Sequence, residues 1–178
     1  MLKKVKIVCC VLLVVVLCMG MTVPTMAASS KYKAAVASYK RYMRGKSGSY
    51  LITDIDGNGI PELIFHESYY RNELRTYNPK KKKSVHLGAV HMGKGDNMPA
   101  KFSKRCHTVL LPSASTGGST EVIYKVNGTK ARKICEIEKR NNKFGKSGLY
   151  INGKRVSNST YKKKMKKYMK NSCTVYWS

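Results

Sequence analysis

The chain has 178 residues and sets 35 lysines and arginines against nine aspartates and glutamates, a formal net charge of +26. That length suits one domain with a sizeable core rather than a string of domains, and no tandem repeat or second domain boundary is visible. The charge favours polyanionic partners, held by an attraction that salt weakens.

In chain order, Lys3, Lys4 and Lys6 open a stretch that turns apolar over 7–19 and breaks at Pro24 before Thr25-Met26-Ala27-Ala28. This is the layout of a secretory signal cleaved near Ala27 or Ala28. The apolar run is shorter than the ~20 residues of a spanning helix, and an uncleaved anchor is the alternative. Cys18 follows Leu17, a poor match to a lipoprotein cleavage box. The expected division is therefore a signal over 1–28 and one exported domain over 29–178, keeping 32 basic and nine acidic residues.

Over 31–43, Tyr32, Ala35, Val36, Tyr39, Tyr42 and Met43 recur at helical spacing, and Gly45 and Gly48 end the run. The periodicity predicts an amphipathic helix with a packing face. Strands are expected over 50–53, 60–65, 73–77 and 84–90, with Asn78-Pro79 and a lysine run making the turn between the last two. The stretch 91–105 reads as a long loop, 108–111 as a short strand, and the Ser/Thr/Gly segment through Ser119 as another loop.

Strands over 121–126 and 130–137 flank Asn127-Gly128, and a shorter pair over 149–151 and 154–156 flanks Asn152-Gly153. Asn-Gly between alternating runs is the strongest short hairpin signal. Residues 157–160 offer helix caps ahead of a second apolar stripe, Tyr161, Met165, Tyr168 and Met169, and 174–177 reads as a closing strand. The expected fold class is α+β: a single domain with an antiparallel β-sheet of hairpins, flanked by an N-terminal and a C-terminal amphipathic helix. The triplets starting at Asn127 and Asn158 match glycosylation sequons, though turn and cap chemistry explains both without sugar.

Between the first two strands lies Asp54-Ile-Asp56-Gly-Asn58-Gly-Ile60-Pro-Glu62, which holds three of the nine acidic residues. A hard cation such as calcium needs six to eight oxygens, so its ligands come from a chain that curls around it. Alternate positions do this: Asp54, Asp56 and Asn58 turn inward, Gly59 permits the bend, Ile60 offers its carbonyl, and Glu62 closes the shell directly or through water. The order matches the first nine places of an EF-hand loop, but the twelfth holds Phe65 where that loop has a bidentate glutamate. The β-rich flanks make this a strand-loop-strand relative of that loop, as in FG-GAP-type repeats. With only three carboxylates, the expected calcium affinity is weak, on the order of 0.1 to 1 mM. The alternative is a metal-free hairpin whose Asp and Asn side chains bond their own backbone.

Together, the leader, the Tyr-rich helix, the loop ending Gly-Ile-Pro-Glu-Leu-Ile, and Leu-Tyr-Ile-Asn-Gly-Lys before a Tyr-bearing last helix resemble a known family. It is that of small secreted EF-hand-like calcium-binding proteins of Gram-positive gut bacteria. The resemblance implies export and calcium at Asp54, Asp56, Asn58, Ile60 and Glu62, and it implies no reaction.

The candidate polyanion-binding residues are Lys80, Lys81, Lys82 and Lys83 in the turn, and Lys162, Lys163, Lys164, Lys166 and Lys167 on the last helix. Anionic cell-wall polymer or another polyanion, such as lipid head groups or released nucleic acid, is the expected partner, with secretion, free or retained at the wall, the expected location. A solvated lysine-rich surface without a dedicated partner is the plain alternative, and a membrane-active effector using the last helix is the rival. Cys106, Cys135 and Cys173 fit no zinc ribbon or redox pair. Export would permit one disulfide in any of three pairings; the other reading is free thiols. Adjacent Cys106 and His107 on a strand would point to opposite faces, no other nucleophile-base spacing is present, and no catalytic residue is assigned.

Overall fold

The computed structural model describes residues 29–68, 71–91, 98–141 and 147–177. The expected signal over 1–28 lies outside them. Among the described residues there are eleven strands and two helices.

The strands are β1 (Gly48–Thr53), β2 (Glu62–Glu67), β3 (Arg71–Asn78), β4 (Lys83–His91), β5 (Ala100–Ser103), β6 (Thr108–Ser115), β7 (Gly118–Asn127), β8 (Lys130–Arg140), β9 (Gly148–Ile151), β10 (Lys154–Val156) and β11 (Cys173–Val175). The helices are α1 (Ser30–Met43) and α2 (Asn158–Tyr168). All neighbouring strands run antiparallel, in one sheet ordered β1-β2-β3-β4 and a second ordered β10-β9-β8-β7-β6-β5-β11.

This corrects the expected α+β class with one sheet. The chain is mostly β, in two antiparallel sheets, with only two helices among the described residues. The cause is that several strands bury both faces. Ile64 of β2 and Leu74 of β3 share a core with Val109 and Leu111 of β6, Val122 and Val126 of β7, and Val175 of β11, so the sheets pack on each other. The alternate residues face outward: Leu63 and Phe65 of β2 meet Ala35 and Tyr39 of α1, while Leu110 and Ile123 meet Met169 and the half-buried Tyr161 and Met165 of α2. A strand buried on both sides reads as a continuous apolar run, as 108–111 does, so its alternation does not reveal a second sheet.

Two loops are also corrected. The stretch expected to be irregular over 91–105 contains β5, with 92–97 outside the described residues. β5 is four residues long and held by non-local pairing to β6 and β11; local pattern carries little trace of such a strand. The Ser/Thr/Gly segment is largely strand, since β6 continues to Ser115 and β7 begins at Gly118. Pro112 is tolerated inside β6 because it lies beyond Leu110, the last β6 residue paired with β5. Its carbonyl accepts a hydrogen bond from Asn72 Nδ2 at 2.7 Å.

Ser29 and Ser157 cap the two helices, accepting from Tyr32 N at 3.2 Å and Thr160 N at 3.3 Å. Cys106, Cys135 and Cys173 are all free thiols: half-buried, buried and exposed respectively. Burial raises the Cys135 thiol pKa, which keeps it protonated and unreactive.

The contact between sheets is close where Gly88 of β4 faces Tyr124 of β7. A Cβ at Gly88 would stand 2.5 Å from the ring, and the Tyr124 hydroxyl donates to the Ala89 carbonyl at 3.2 Å. Gly88→Val is therefore expected to destabilise the fold by about 1–3 kcal/mol, through overpacking at this contact. Urea unfolding measures it; an unchanged midpoint would contradict the close packing of the two sheets.

Candidate metal centre

The acidic loop is the connection between β1 and β2, whose last pair before it is Thr53 with Glu62. Backbone amides fix each oxygen-bearing side chain. Asp54 accepts from Gly57 N at 2.8 Å on one oxygen and from Gly59 N at 2.9 Å on the other. Asp56 accepts from Asn58 N at 3.3 Å, and Asn58 Oδ1 accepts from Ile60 N at 2.7 Å. Gly59 has φ +79°, in the left-handed region, so the chain can turn back here without a Cβ clash.

Two further contacts come from far along the chain. Gly128 N, at the tip of the β7–β8 hairpin, donates to Asp56 Oδ2 at 2.5 Å, tying the second sheet to the loop. Glu62 is fully buried, with Ile55 N donating to Oε2 at 2.9 Å and Thr76 Oγ1 to Oε1 at 3.4 Å. Beside it the Tyr39 hydroxyl donates to the Pro61 carbonyl at 2.6 Å, and burial pushes the Tyr39 pKa upward, so the phenol keeps its proton.

One oxygen from each of Asp54, Asp56 and Glu62 lies within 4.8 Å of the others. Ligands about 2.3–2.6 Å from a shared ion stand at most about 5 Å apart, so this carboxylate cluster could hold a metal ion. Asn58 and Ile60, the other expected ligands, sit on the same loop; the Asn58 amide oxygen is engaged by Ile60 N, and the half-buried Ile60 side chain packs with the α1 core. The side-chain-to-backbone bonds of the metal-free alternative are thus present, but they do not neutralise the carboxylates.

Charge pairing separates this cluster from the other acids among the described residues. Glu67, Glu73, Glu121, Glu136 and Glu138 each meet a lysine or arginine within 4.0 Å. Among the described residues, Asp54, Asp56 and Glu62 form no such pair. A buried carboxylate without a cation is costly, and it recovers either by binding a proton or by binding a metal. In the ion-free protein the Glu62 pKa rises to about 8, first through burial and then through the neighbouring charges of Asp56 and Asp54.

The polyanion candidates fall on separate parts of the fold. Lys80 to Lys82 form the β3–β4 turn and Lys83 opens β4, all exposed on the four-stranded sheet. Lys162, Lys163, Lys166 and Lys167 are exposed on α2, which packs on the seven-stranded sheet, and Lys164 is half-buried with its ammonium 5.6 Å from the Tyr168 ring. Cys106 and His107 lie in the turn before β6, not on a strand, and His107 has φ +53°. Sequence reasoning missed Gly128, Thr76 and the Ile55 amide as partners of the site. Gly128 carried a turn signal, but nothing in it points to a residue 72 positions away. No protein-family model matches the chain, and no curated protein or solved structure matches it either.

The raised Glu62 pKa fixes a pH dependence. Between an unfolded value near 4.5 and a folded value of about 8, the folded, ion-free protein binds more protons than the unfolded chain. Its stability therefore falls as pH rises through that window, at up to ~1.4 kcal/mol per unit from this group, and levels off above it. Denaturation in chelator across this range should show the slope, and Glu62→Gln, which cannot ionise, should flatten it. A wild-type slope that persists unchanged in Glu62→Gln would place the titration elsewhere.

Proposed function

We propose that this chain is an exported, calcium-stabilised binding module whose basic surface meets an anionic polymer of the cell envelope, as a member of the secreted EF-hand-like group it resembles. One observation carries the calcium part: three carboxylates converge, one of them fully buried, without a lysine or arginine partner among the described residues, in a strongly basic protein. A divalent ion supplies the missing positive charge. Calcium is favoured over magnesium because its larger, more flexible shell accepts oxygens from a curling loop, whereas magnesium demands a tight octahedron and keeps its waters.

The ion's effect is structural. It would hold the β1–β2 loop against Glu62 and, through Asp56, against the β7–β8 tip. The polyanion part is supported by the excess of basic residues and by the exposed lysines of the β3–β4 turn and α2. No helix among the described residues is long and apolar enough to cross a membrane. The apolar stripe of α2 packs against Leu110, Ile123, Cys135 and Ile137, which argues against its use as a membrane-active surface.

An ion that binds only the folded state raises the melting temperature with its concentration. At calcium about 100-fold above Kd the gain is ~2.7 kcal/mol, a shift of roughly 5–10 °C for a domain of this size. Thermal melts in calcium and in chelator measure it. The Asp54→Ala, Asp56→Ala double variant should lose the shift, while identical wild-type curves in both buffers would sink the reading.

A further inference from the structure

The face of the second sheet that α2 covers continues beyond the end of the helix, and there it turns basic. Thr108, Lys125 and Arg132 stand in register across β6, β7 and β8, with Lys125 directly opposite Arg132. Like charges at directly opposed positions repel, and among the described residues neither has an acidic partner within salt-bridge distance. Lys133, the next residue of β8, pairs with Glu136 at 2.8 Å. Cys106 from the turn before β6, and Lys167 and Tyr168 from the last turn of α2, close a groove of about 510 Å³ whose lining contains no carboxylate among the described residues.

The groove has a fixed frame. Thr108 Oγ1 donates to the Tyr168 carbonyl at 2.6 Å, Cys106 Sγ approaches the Lys167 carbonyl at 3.6 Å, and Ser103 Oγ donates to the Lys170 carbonyl. The first two contacts engage the last two carbonyls of α2, Lys167 and Tyr168, and so partly offset the negative helix end that disfavours an anion.

We propose that this groove seats a stretch of a flexible phosphodiester polymer that carries no bases, resting on the polyanion part of the reading above. A guanidinium fork matches phosphate oxygens two at a time, which Arg132 can offer, and the lysines beside it act as point charges. A base-bearing strand would need an open aromatic platform. Among the described residues Tyr168 is the only ring lining the groove, and Lys164 and Lys167 already lie over it at 5.6 and 5.5 Å. The relief of the Lys125–Arg132 repulsion by a phosphate gives this site an advantage over the dispersed lysines of the β3–β4 turn.

The test compares two charge-matched double variants by fluorescence anisotropy with labelled poly(glycerol phosphate), using oligothymidylate of equal charge as the second probe. Lys125→Gln with Arg132→Gln should weaken poly(glycerol phosphate) binding at least about tenfold and lower the log-log salt slope by ~1.4, the value for two lost phosphate contacts on a single strand. Lys31→Gln with Lys33→Gln, exposed on α1 and outside the groove, removes the same charge and should cost less than about twofold. Both variants replace exposed side chains; the melting curve of the Lys125→Gln, Arg132→Gln variant should fall no lower than the wild type, and that of the control should overlay it. Equal losses from the two pairs would overturn the groove, and tighter binding of oligothymidylate would overturn the exclusion of bases; either leaves the general polyanion reading standing. Saturable binding of neither polymer by the wild type would remove both.

Discussion

The burial of a carboxylate with no basic partner among the described residues is the constraint on which the rest of this structure turns. Glu62 opens β2, where the strand pairs with β1 and β3 and packs beneath α1, and it has no contact with solvent. Two hydrogen bonds, from the Ile55 amide and the Thr76 hydroxyl, satisfy part of its demand but supply no charge. Asp54 and Asp56 make the position worse for an anion. In the ion-free protein a proton resolves this, and an ion bound by the cluster would do so too, which would couple the loop both to pH and to the composition of the medium.

That constraint lies at a junction between the sheets. The acidic loop belongs to the four-stranded sheet, whereas Gly128 belongs to the seven-stranded one, and Asp56 joins them. Ile55, inside the loop, is fully buried in the core the two sheets share. An ion ordering this loop would brace the sandwich at one end rather than stiffen an isolated hairpin. The β7–β8 hairpin also carries Lys125 and Arg132 a few residues from its tip, so the strands that present the basic groove are those the loop helps to hold.

Local signals were legible where the physics is local. The 3.6-residue stripe of Tyr and Ala placed α1 within one residue, and Asn152-Gly153 marked a hairpin turn whose two residues have φ +49° and +77°. The spacing of Asp54, Asp56 and Glu62 identified carboxylates that the fold does bring together. What sequence could not supply was long-range register. The split into two sheets depends on which faces of β2, β6 and β7 meet, β5 exists because β6 and β11 lie on either side of it, and the Gly128–Asp56 contact spans 72 residues. The opposition of Lys125 and Arg132 likewise follows from pairing around a bulge in β7–β8, beyond the reach of composition or period.

Calorimetric titration of calcium into the protein, repeated near pH 6.5 in buffers of different ionisation enthalpy, tests the central claim most directly because it counts ions and protons together. An ion that displaces the proton held by a buried carboxylate should bind with a stoichiometry of about one per chain and release about one proton. Absence of saturable binding up to ~10 mM calcium, well above the weak affinities of extracellular sites, would contradict the account. So would binding that releases no proton.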